Sequence, residues 1–234
     1  MYQGTWLNNK ANGTGLYTNI KGARYEGGWK DDQQHGIGVE TWPEGSKYEG
    51  VYNMGLKEGQ GKYTWSDGSV FEGEWKENKI NGMGVYLWSD GRKYYGGWAN
   101  NEMQGYGIYI YADGVRYDGE YLNDKKEGYG VYYWTDGRKY DGWWSNGKQH
   151  GVGTYVDTQK QSKKYGIWEH GKRLKWFDEE TVQEINRGNV DFVQSFTDPG
   201  KSGARVRQNA TFKKPADFDE KMAHVKKVLN IKFK

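Results

Sequence analysis

The sequence predicts a mainly β fold, an elongated single-layer antiparallel sheet of seven to eight tandem β-hairpins with a small C-terminal helical extension. Three observations predict it: an aromatic and glycine motif that repeats every 23 residues, a period-two alternation of apolar and polar residues, and an unusual apolar composition. Only 35% of the 234 residues are apolar, and these include 20 Tyr and 12 Trp beside 36 Gly. Because a thick core needs Leu, Ile and Val in quantity, we expect a thin sheet in which aromatic rings pack locally.

The repeat is an aromatic–x–Gly–x–aromatic unit, followed in constant register by a Gly-x-Gly pair such as Gly36 and Gly38 and by a turn glycine such as Gly45. We expect each unit to contact mainly its neighbours. The units start at Tyr2, Tyr25, Tyr48, Phe71, Tyr94, Tyr117 and Tyr140, with a degenerate unit near residue 164. The positions assigned to repeat packing are Tyr25, Gly27, Trp29, Phe71, Gly73, Trp75, Tyr94, Gly96, Trp98, Tyr140, Gly142 and Trp144.

Each unit has the pattern of one antiparallel hairpin. In the second unit, Tyr25, Gly27 and Trp29 share one face of a strand, a polar stretch at 31–35 is expected to form a loop, and a second strand runs over 36–42. A tight turn into the next unit follows, and later units place Asp-Gly there, which supplies the positive φ angles of tight turns.

The second strands are apolar on both faces. In one of them, Tyr86 and Trp88 occupy one face, while Val85 and Leu87 occupy the other. We expect the glycines opposite to leave slots for the aromatic rings, because glycine has no side chain.

The composition changes sharply after Trp176, since all Tyr and Trp lie at or before it. We divide the chain into a repeat array at 1–168, a capping segment with a short helix at 169–197, a linker at 198–215 and a C-terminal amphipathic helix at 216–234.

Two helices are predicted in the C-terminal part. Asp178 caps a helix over Glu179–Arg187 that ends at Gly188. A second helix over 217–230 places apolar residues on one stripe, at Phe218, Met222, Val225 and Leu229. The helices either cover the open edge of the last hairpin, or the second one docks into a partner.

The repeat resembles the MORN family, whose unit is Tyr-x-Gly-x-Trp followed by Gly-x-Gly and a turn glycine. Residues 25–29 and 71–75 are close to that pattern, and the resemblance covers residues 2 to about 168. Near its end Lys164 stands where Tyr is expected, while Gly166 and Trp168 restore the motif as a degenerate eighth half-unit. The resemblance implies a repeat array like those of ciliary radial spoke heads and of protist cytoskeletal assemblies.

The residues predict no catalytic, metal or cofactor site. The chain has no Cys, and we expect His35 and His150 to be solvated loop residues. Periodic carboxylates such as Glu26 and Asp118 are expected to face solvent. The Gly-x-Gly pairs precede strands and lack a third glycine, so they do not form a dinucleotide loop, and an array with 20 basic and 21 acidic residues does not favour nucleic acid.

The composition therefore favours a non-enzymatic scaffold that binds other proteins through an aromatic groove and an open edge at Tyr2–Trp6. That edge either receives a partner strand, from another protein or by self-association, or belongs to a piece of a longer chain. The expected partner contacts are Tyr2, Trp6, Trp65, Trp88, Tyr111, Trp134, Phe218, Met222, Val225 and Leu229.

The resemblance implies a cytoplasmic, cytoskeletal location in the axoneme of a cilium or flagellum. Two alternatives remain. One is a peripheral membrane or phosphoinositide-binding module, for which only small basic clusters at 163–164, 213–214 and 226–227 offer support. The other is a targeting subunit for an enzyme on another chain.

Overall fold

The computed structural model describes residues 1–188 and 213–230, in which it contains sixteen β-strands and two α-helices. The predicted fold class is confirmed: the chain is mainly β, built of tandem antiparallel hairpins followed by helices. The strands are β1 (Tyr2–Leu7), β2 (Lys10–Thr18), β3 (Arg24–Lys30), β4 (Gln33–Thr41), β5 (Lys47–Asn53), β6 (Leu56–Thr64), β7 (Val70–Lys76), β8 (Lys79–Leu87), β9 (Lys93–Ala99), β10 (Glu102–Ile110), β11 (Arg116–Leu122), β12 (Lys125–Tyr133), β13 (Arg138–Ser145), β14 (Lys148–Asp157), β15 (Ser162–Glu169) and β16 (Lys172–Trp176). The helices are α1 (Glu179–Arg187) and α2 (Phe218–Val228).

The chain forms two compact bodies, an N-terminal body at Met1–Glu102 and a C-terminal body at Met103–Lys234. In the N-terminal body, β1 to β9 pair antiparallel in chain order. In the C-terminal body, β10 to β16 do the same. Each strand thus pairs with its sequence neighbour, which is the topology that a hairpin repeat predicts.

The turn inside each hairpin is tighter than the sequence predicts. The expected loop at 31–35 is a two-residue turn at Asp31 and Asp32, whose φ angles are 48° and 68°, and β4 already begins at Gln33. Two consecutive residues with positive φ match the twist of the flanking strands, and Asn, Asp and Gly adopt this conformation most easily. The same turn recurs at residues 8–9, 54–55, 77–78, 100–101, 123–124, 146–147 and 170–171.

The turn between hairpins uses its Asp-Gly pair differently from the prediction. In one such turn only Gly68 has a positive φ, of 86°, and its N–H donates to the carbonyl of Trp65. The Asp67 carboxylate instead accepts the backbone N–H of Ser69 at 2.8 Å, and this hydrogen bond lowers the pKa of Asp67. The aspartate therefore holds the turn as a hydrogen-bond acceptor.

Paired glycines form slots for the first aromatic ring of a unit, as predicted, and this ring is buried in the second to the seventh unit. Gly27 lies opposite Gly38 in the β3–β4 ladder, and the ring of Tyr25 lies across both. A Cβ atom at Gly27 would meet the Gly38 Cα at 2.5 Å and the Tyr25 hydroxyl at 2.7 Å. Tyr25 is consequently 1% exposed, and its hydroxyl donates to the Gly28 carbonyl at 2.9 Å. A ring is thereby buried in a sheet that has no thick core.

A second contact links each hairpin to the one before it. The Asn78 side chain accepts the N–H of Lys57 at 2.8 Å, and the Asn78 N–H donates to the Lys57 carbonyl at 3.1 Å. The two residues are 21 positions apart. Three further residues at the second turn position, Asp32, Asn101 and Asp124, accept the equivalent N–H.

The two helices carry the predicted sequence signals. Asp178 caps α1 through a hydrogen bond from the Thr181 N–H at 2.9 Å, and Gly188 ends it with a φ of 91°. Helix α2 spans Phe218–Val228, within the predicted 217–230. Most of the predicted linker, at 198–212, lies outside the described residues.

Replacing Gly61 with Ala should lower the free energy of unfolding by about 2–3 kcal/mol, because the new methyl would overlap the ring of Tyr48. Denaturant unfolding followed by near-UV circular dichroism measures the effect, with Lys62→Ala as the control at a neighbouring position whose side chain points to the other face. The double variant with Tyr48→Ala should lose less unfolding free energy than the sum of the losses in the two single variants. Full additivity would contradict the slot.

Replacing Asn78 with Ala should cost about 1–2 kcal/mol, because the Lys57 N–H loses its side-chain acceptor and Ala does not favour a positive φ. Asn78→Asp keeps the acceptor, as Asp32 and Asp124 do in other units, and should unfold at the wild-type denaturant midpoint. Equal loss in both variants would show that this hydrogen bond does not contribute.

Candidate functional site

One face of each body carries two rows of aromatic rings. The inner row consists of the slot residues and the closing aromatics of the motif, which meet edge to face. Tyr48 and Trp75 lie 5.4 Å apart at 84°, and Phe71 and Trp98 lie 5.7 Å apart at 84°. Tyr48, Phe71 and Tyr94 are fully buried, so these rings stabilise the sheet and offer no surface to a ligand.

The outer row is half-exposed and continuous. We call it the outer ladder. In the N-terminal body its neighbouring rings lie 4.3–5.5 Å apart between centroids. Trp65 stacks on Tyr86 at 26°, and Tyr86 stacks on Trp88 at 29°. The members there are Trp42, Tyr63, Trp65, Tyr86 and Trp88.

The C-terminal body has an outer ladder of its own, whose neighbouring rings lie 4.7–6.2 Å apart. It begins at Tyr109, which is buried, and its other rings are half-exposed. The members are Tyr109, Tyr111, Tyr132, Trp134, Tyr155 and Trp176. Each body thus presents an unbroken aromatic strip.

Four predicted partner contacts lie on these strips, namely Trp65, Trp88, Tyr111 and Trp134. Sequence reasoning did not single out the rings between them as contacts. The signal was present, because the second strands place Tyr and Trp on one face at a period of two. The missed members are Trp42, Tyr63, Tyr86, Tyr109, Tyr132, Tyr155 and Trp176.

The two remaining N-terminal contacts lie at the edge strand β1, which pairs with β2. Trp6 is 60% exposed, and its ring meets that of Tyr2 at 5.0 Å and 88°. Tyr2 in turn meets Trp29 at 5.1 Å. These rings border an open groove in the N-terminal body.

Helix α2 covers the opposite face of the C-terminal body, which corrects both readings of the sequence. It contacts β11 rather than the edge of the last hairpin, and Phe218 packs against Tyr106 at 5.9 Å and Tyr129 at 5.2 Å. Phe218, Met222 and Val225 are buried, so these three predicted partner contacts are packed inside the protein. Leu229, just beyond the helix, is half-exposed.

The same face corrects the expectation for Asp118. Asp118 is 4% exposed, because it lies on β11 where α2 packs, whereas Glu26, Glu49 and Glu72 at equivalent positions are exposed. Arg116 pairs with it, donating from Nε at 2.5 Å. The ion pair satisfies the buried charge.

Two lysines lie within the aromatic face. The Lys126 ammonium lies 5.2–5.4 Å from the centroids of Tyr111, Tyr117, Tyr132 and Trp144, and it donates to the Tyr111 hydroxyl at 2.8 Å. Burial lowers the pKa of Lys126 to about 8. Ring faces attract a cation, so the aromatic cage offsets part of the cost of burying the charge.

The second lysine is Lys57, which has a carboxylate partner. Its ammonium lies 5.1 Å from the Tyr48 centroid, 5.3 Å from that of Trp42 and 3.8 Å from Glu40 Oε2. Burial lowers the pKa of Lys57, and the Glu40 carboxylate partly opposes that shift.

The residues that precede Gly-x-Gly are not solvated loop residues. His35 and His150 lie in strands β4 and β14 and are half-buried. In other units, Glu58 and Glu127 at this position accept the first N–H of the next hairpin turn, at 3.1 and 2.8 Å. Among residues 1–188 and 213–230, no group of three His, Asp or Glu side chains is placed to hold a metal ion. Neither α1 nor α2 has the length and apolarity that a membrane-spanning helix requires.

Between about pH 8 and 9.5 the unfolding free energy should rise with pH, because Lys126 binds more protons in the unfolded chain, where its pKa is 10.5. The rise from this amine is at most about 1.4 kcal/mol per pH unit. Lys126→Met should flatten it, and Lys125→Met, at an exposed neighbour, should not. Urea titrations at several pH values measure the slope. Identical slopes for wild type and Lys126→Met would contradict the burial of this charge.

Comparison with known proteins gives one family. The family model described as MORN repeat matches residues 2–24, 25–47, 48–70, 71–91, 94–116, 117–137 and 140–159. The last hairpin, β15–β16, lies beyond these segments. A search of curated proteins gives no match. Among solved structures, a mutant TCP10 domain of Danio rerio CPAP is similar at 12% identity and a TM-score of 0.26, over 70% of this chain and 88% of that one. Because the seven matched segments span more than half of the sequence, the chain belongs to the MORN-repeat family.

Proposed function

We propose that this chain is a non-enzymatic scaffold that binds other proteins through its outer ladders. The observation that carries the proposal is the half-exposed, continuous aromatic strip of each body, typified by Trp65, Tyr86 and Trp88. Tyr and Trp contribute most of the binding energy in many protein interfaces, because they bury a large area and lose few rotamers.

The ladder rings are already ordered before a partner binds. Each ring stacks on or tilts against the next, and arginines such as Arg92, whose guanidinium carbon lies 5.1 Å from the Trp88 centroid, add contacts at the rim. A preorganised surface loses less conformational entropy on binding, so more of the contact energy appears as affinity. The strip therefore suits an extended partner segment that contacts successive hairpins.

The proposed setting is a large assembly in the cytoplasm, either the axoneme of a cilium or flagellum, with the radial spoke as the specific candidate, or another part of the cytoskeleton. The support is the resemblance to standalone MORN arrays of those assemblies. The same surface would equally hold an enzyme on another chain, with this chain as its targeting subunit.

Affinity capture from cells with the wild-type chain, Trp65→Ala and Trp134→Ala tests the ladder in each body. We expect a set of proteins to co-purify with the wild-type chain. The recovered amount should fall at least about fivefold with either variant, which corresponds to about 1 kcal/mol per anchor ring. Ile37→Ala, at a residue that is 80% exposed in the N-terminal body, is the matched control and should keep the set. Equal recovery with all four proteins, at unchanged melting temperatures, would contradict the proposal.

A second candidate function is peripheral binding to an anionic membrane, and the last hairpin favours it. Its five cationic residues, at 163, 164, 172, 173 and 175, are all exposed, with Glu169 as the acidic residue between them. Each basic residue near an anionic surface contributes about 1 kcal/mol.

Sedimentation with vesicles that contain phosphatidylserine or a phosphoinositide tests this second function. It requires binding that weakens at high salt and is lost in Lys163→Glu with Lys164→Glu. A chain that stays in the supernatant with every vesicle at low salt would leave the protein-binding function alone.

A further inference from the structure

One position of the repeat determines what fills the space between the rings. It is the second residue of each second strand, and it holds Lys126 in β12. The cage around Lys126 contains a tyrosine nine residues earlier, Tyr117, another six residues later, Tyr132, and Trp144 eighteen residues later. Lys57 occupies the same position in β6 and lies over the tyrosines at the same two offsets.

The first hairpin keeps this cage but not its occupant. The equivalent residue is Ala11, and the rings at the three offsets are Tyr2, Tyr17 and Trp29. Tyr2 and Trp29 lie 5.1 Å apart, the same distance as the corresponding pair around Lys126, and Tyr17 and Trp29 lie 6.1 Å apart against 5.9 Å there. The ring geometry is thus preserved where the lysine side chain is replaced by a methyl group.

An open groove of about 490 Å³ lies along this cage, and Ala11 in its wall is 5% exposed. Its wall includes all three cage rings together with Trp6 and Ala11. Tyr17 is 41% exposed and Trp6 is 60% exposed, so the groove can be entered from solvent. Open aromatic surface of this kind is available to a side chain from another molecule.

The charges of the groove favour a cation. Two carboxylates, Asp32 and Glu40, line it against one guanidinium, that of Arg24. Burial and the Glu40 carboxylate raise the pKa of Tyr25 in the wall to about 12. Glu40 also pairs with the Lys57 ammonium of the β5–β6 hairpin, at 3.8 Å. The groove therefore combines ring faces with negative charge, the two features that attract an ammonium group.

We propose that the cage around Ala11 binds a lysine side chain from an extended segment of a partner protein. The lysine stem lies between Tyr2 and Tyr17, and its ammonium group takes the place that Lys57 and Lys126 fill in their own cages. This inference rests on the proposed function, since it specifies the partner chemistry for one end of the aromatic face.

Titration of the full chain, labelled with ¹⁵N in its tryptophan indoles, tests the cage. The probes are the peptides acetyl-Gly-Lys-Gly-amide and its norleucine analogue, which has a similar length and no charge. We expect the lysine peptide to shift the indole signal of Trp29, assigned with Trp29→Phe, and to bind roughly fivefold more tightly than the norleucine peptide. Ala11→Lys and Ala11→Met should both abolish the shift, because each fills the cage from within.

Gln60→Lys, which adds the same charge on the other face of the N-terminal body, should leave the titration unchanged. Ala11→Lys should also melt close to the wild-type temperature, since lysine occupies this position in two other hairpins. A large drop in melting temperature would show that the cage cannot hold a lysine side chain and would overturn the proposal. Equal binding of both peptides, or binding that survives Ala11→Lys, would overturn it as well. An indole shift that depends on protein concentration without peptide would assign the cage to a second copy and refute the proposal.

The two proposals fail separately. If the ladder variants lose their partners while the lysine peptide leaves Trp29 unaffected, the cage proposal alone is wrong. If the peptide binds as expected and no ladder variant changes the captured proteins, the proposed scaffold function is wrong and the cage remains.

Discussion

The structure depends on one contact, an aromatic ring lying across two glycines that face each other on neighbouring strands. At Tyr48 the ring covers Gly50 and Gly61, and its hydroxyl donates to the Val51 carbonyl at 3.2 Å. Because neither glycine has a side chain, the ring reaches the backbone and is fully buried without a second layer above it. The same contact explains why the chain needs so much glycine and tyrosine and so little leucine, and why its aromatic face has a buried row beneath an accessible one.

Most of the fold could be predicted, because the same aromatic and glycine pattern of one hairpin recurs in seven units. The register of Tyr25 on Gly27, the strand alternation and the Asp178 cap all follow from short-range chemistry. The two-residue turn at Asp31 and Asp32 could not be placed, since five consecutive polar residues fit a longer loop equally well. In the structure the Asp32 side chain accepts the Ala11 N–H, a contact between residues 21 positions apart that links this turn to the preceding hairpin and that no local pattern displays.

The candidate site was predictable only in part, for a related reason. Alternation predicted that Trp65 and Trp134 share a face with other rings, but not which rings remain accessible. Phe218 shows the limit: an amphipathic stripe indicates that one side of a helix is buried, and it does not identify the covering surface. That surface is the strand face containing Asp118, so one undetected contact accounts for both the misplaced helix and the unexpectedly buried carboxylate.

The repeat also explains how binding specificity can arise without cost to the fold. In an array whose stability comes mainly from neighbouring units, the slot glycines and rings make the contacts that hold the units together, whereas the position occupied by Ala11, Lys57 and Lys126 lies between rings that are already held by other contacts. The Ala11 N–H donates to the Asp32 carboxylate, and the Asp32 N–H donates to the Ala11 carbonyl. An alanine in place of a lysine at this position therefore leaves these hydrogen bonds intact. A lysine there closes the cage with the chain's own cation, and an alanine leaves the same rings for a cation from elsewhere. Among the hairpins that hold Ala11, Lys57 and Lys126, this one residue thus distinguishes an open cage from a closed one, while the strands that carry it pair in the same way.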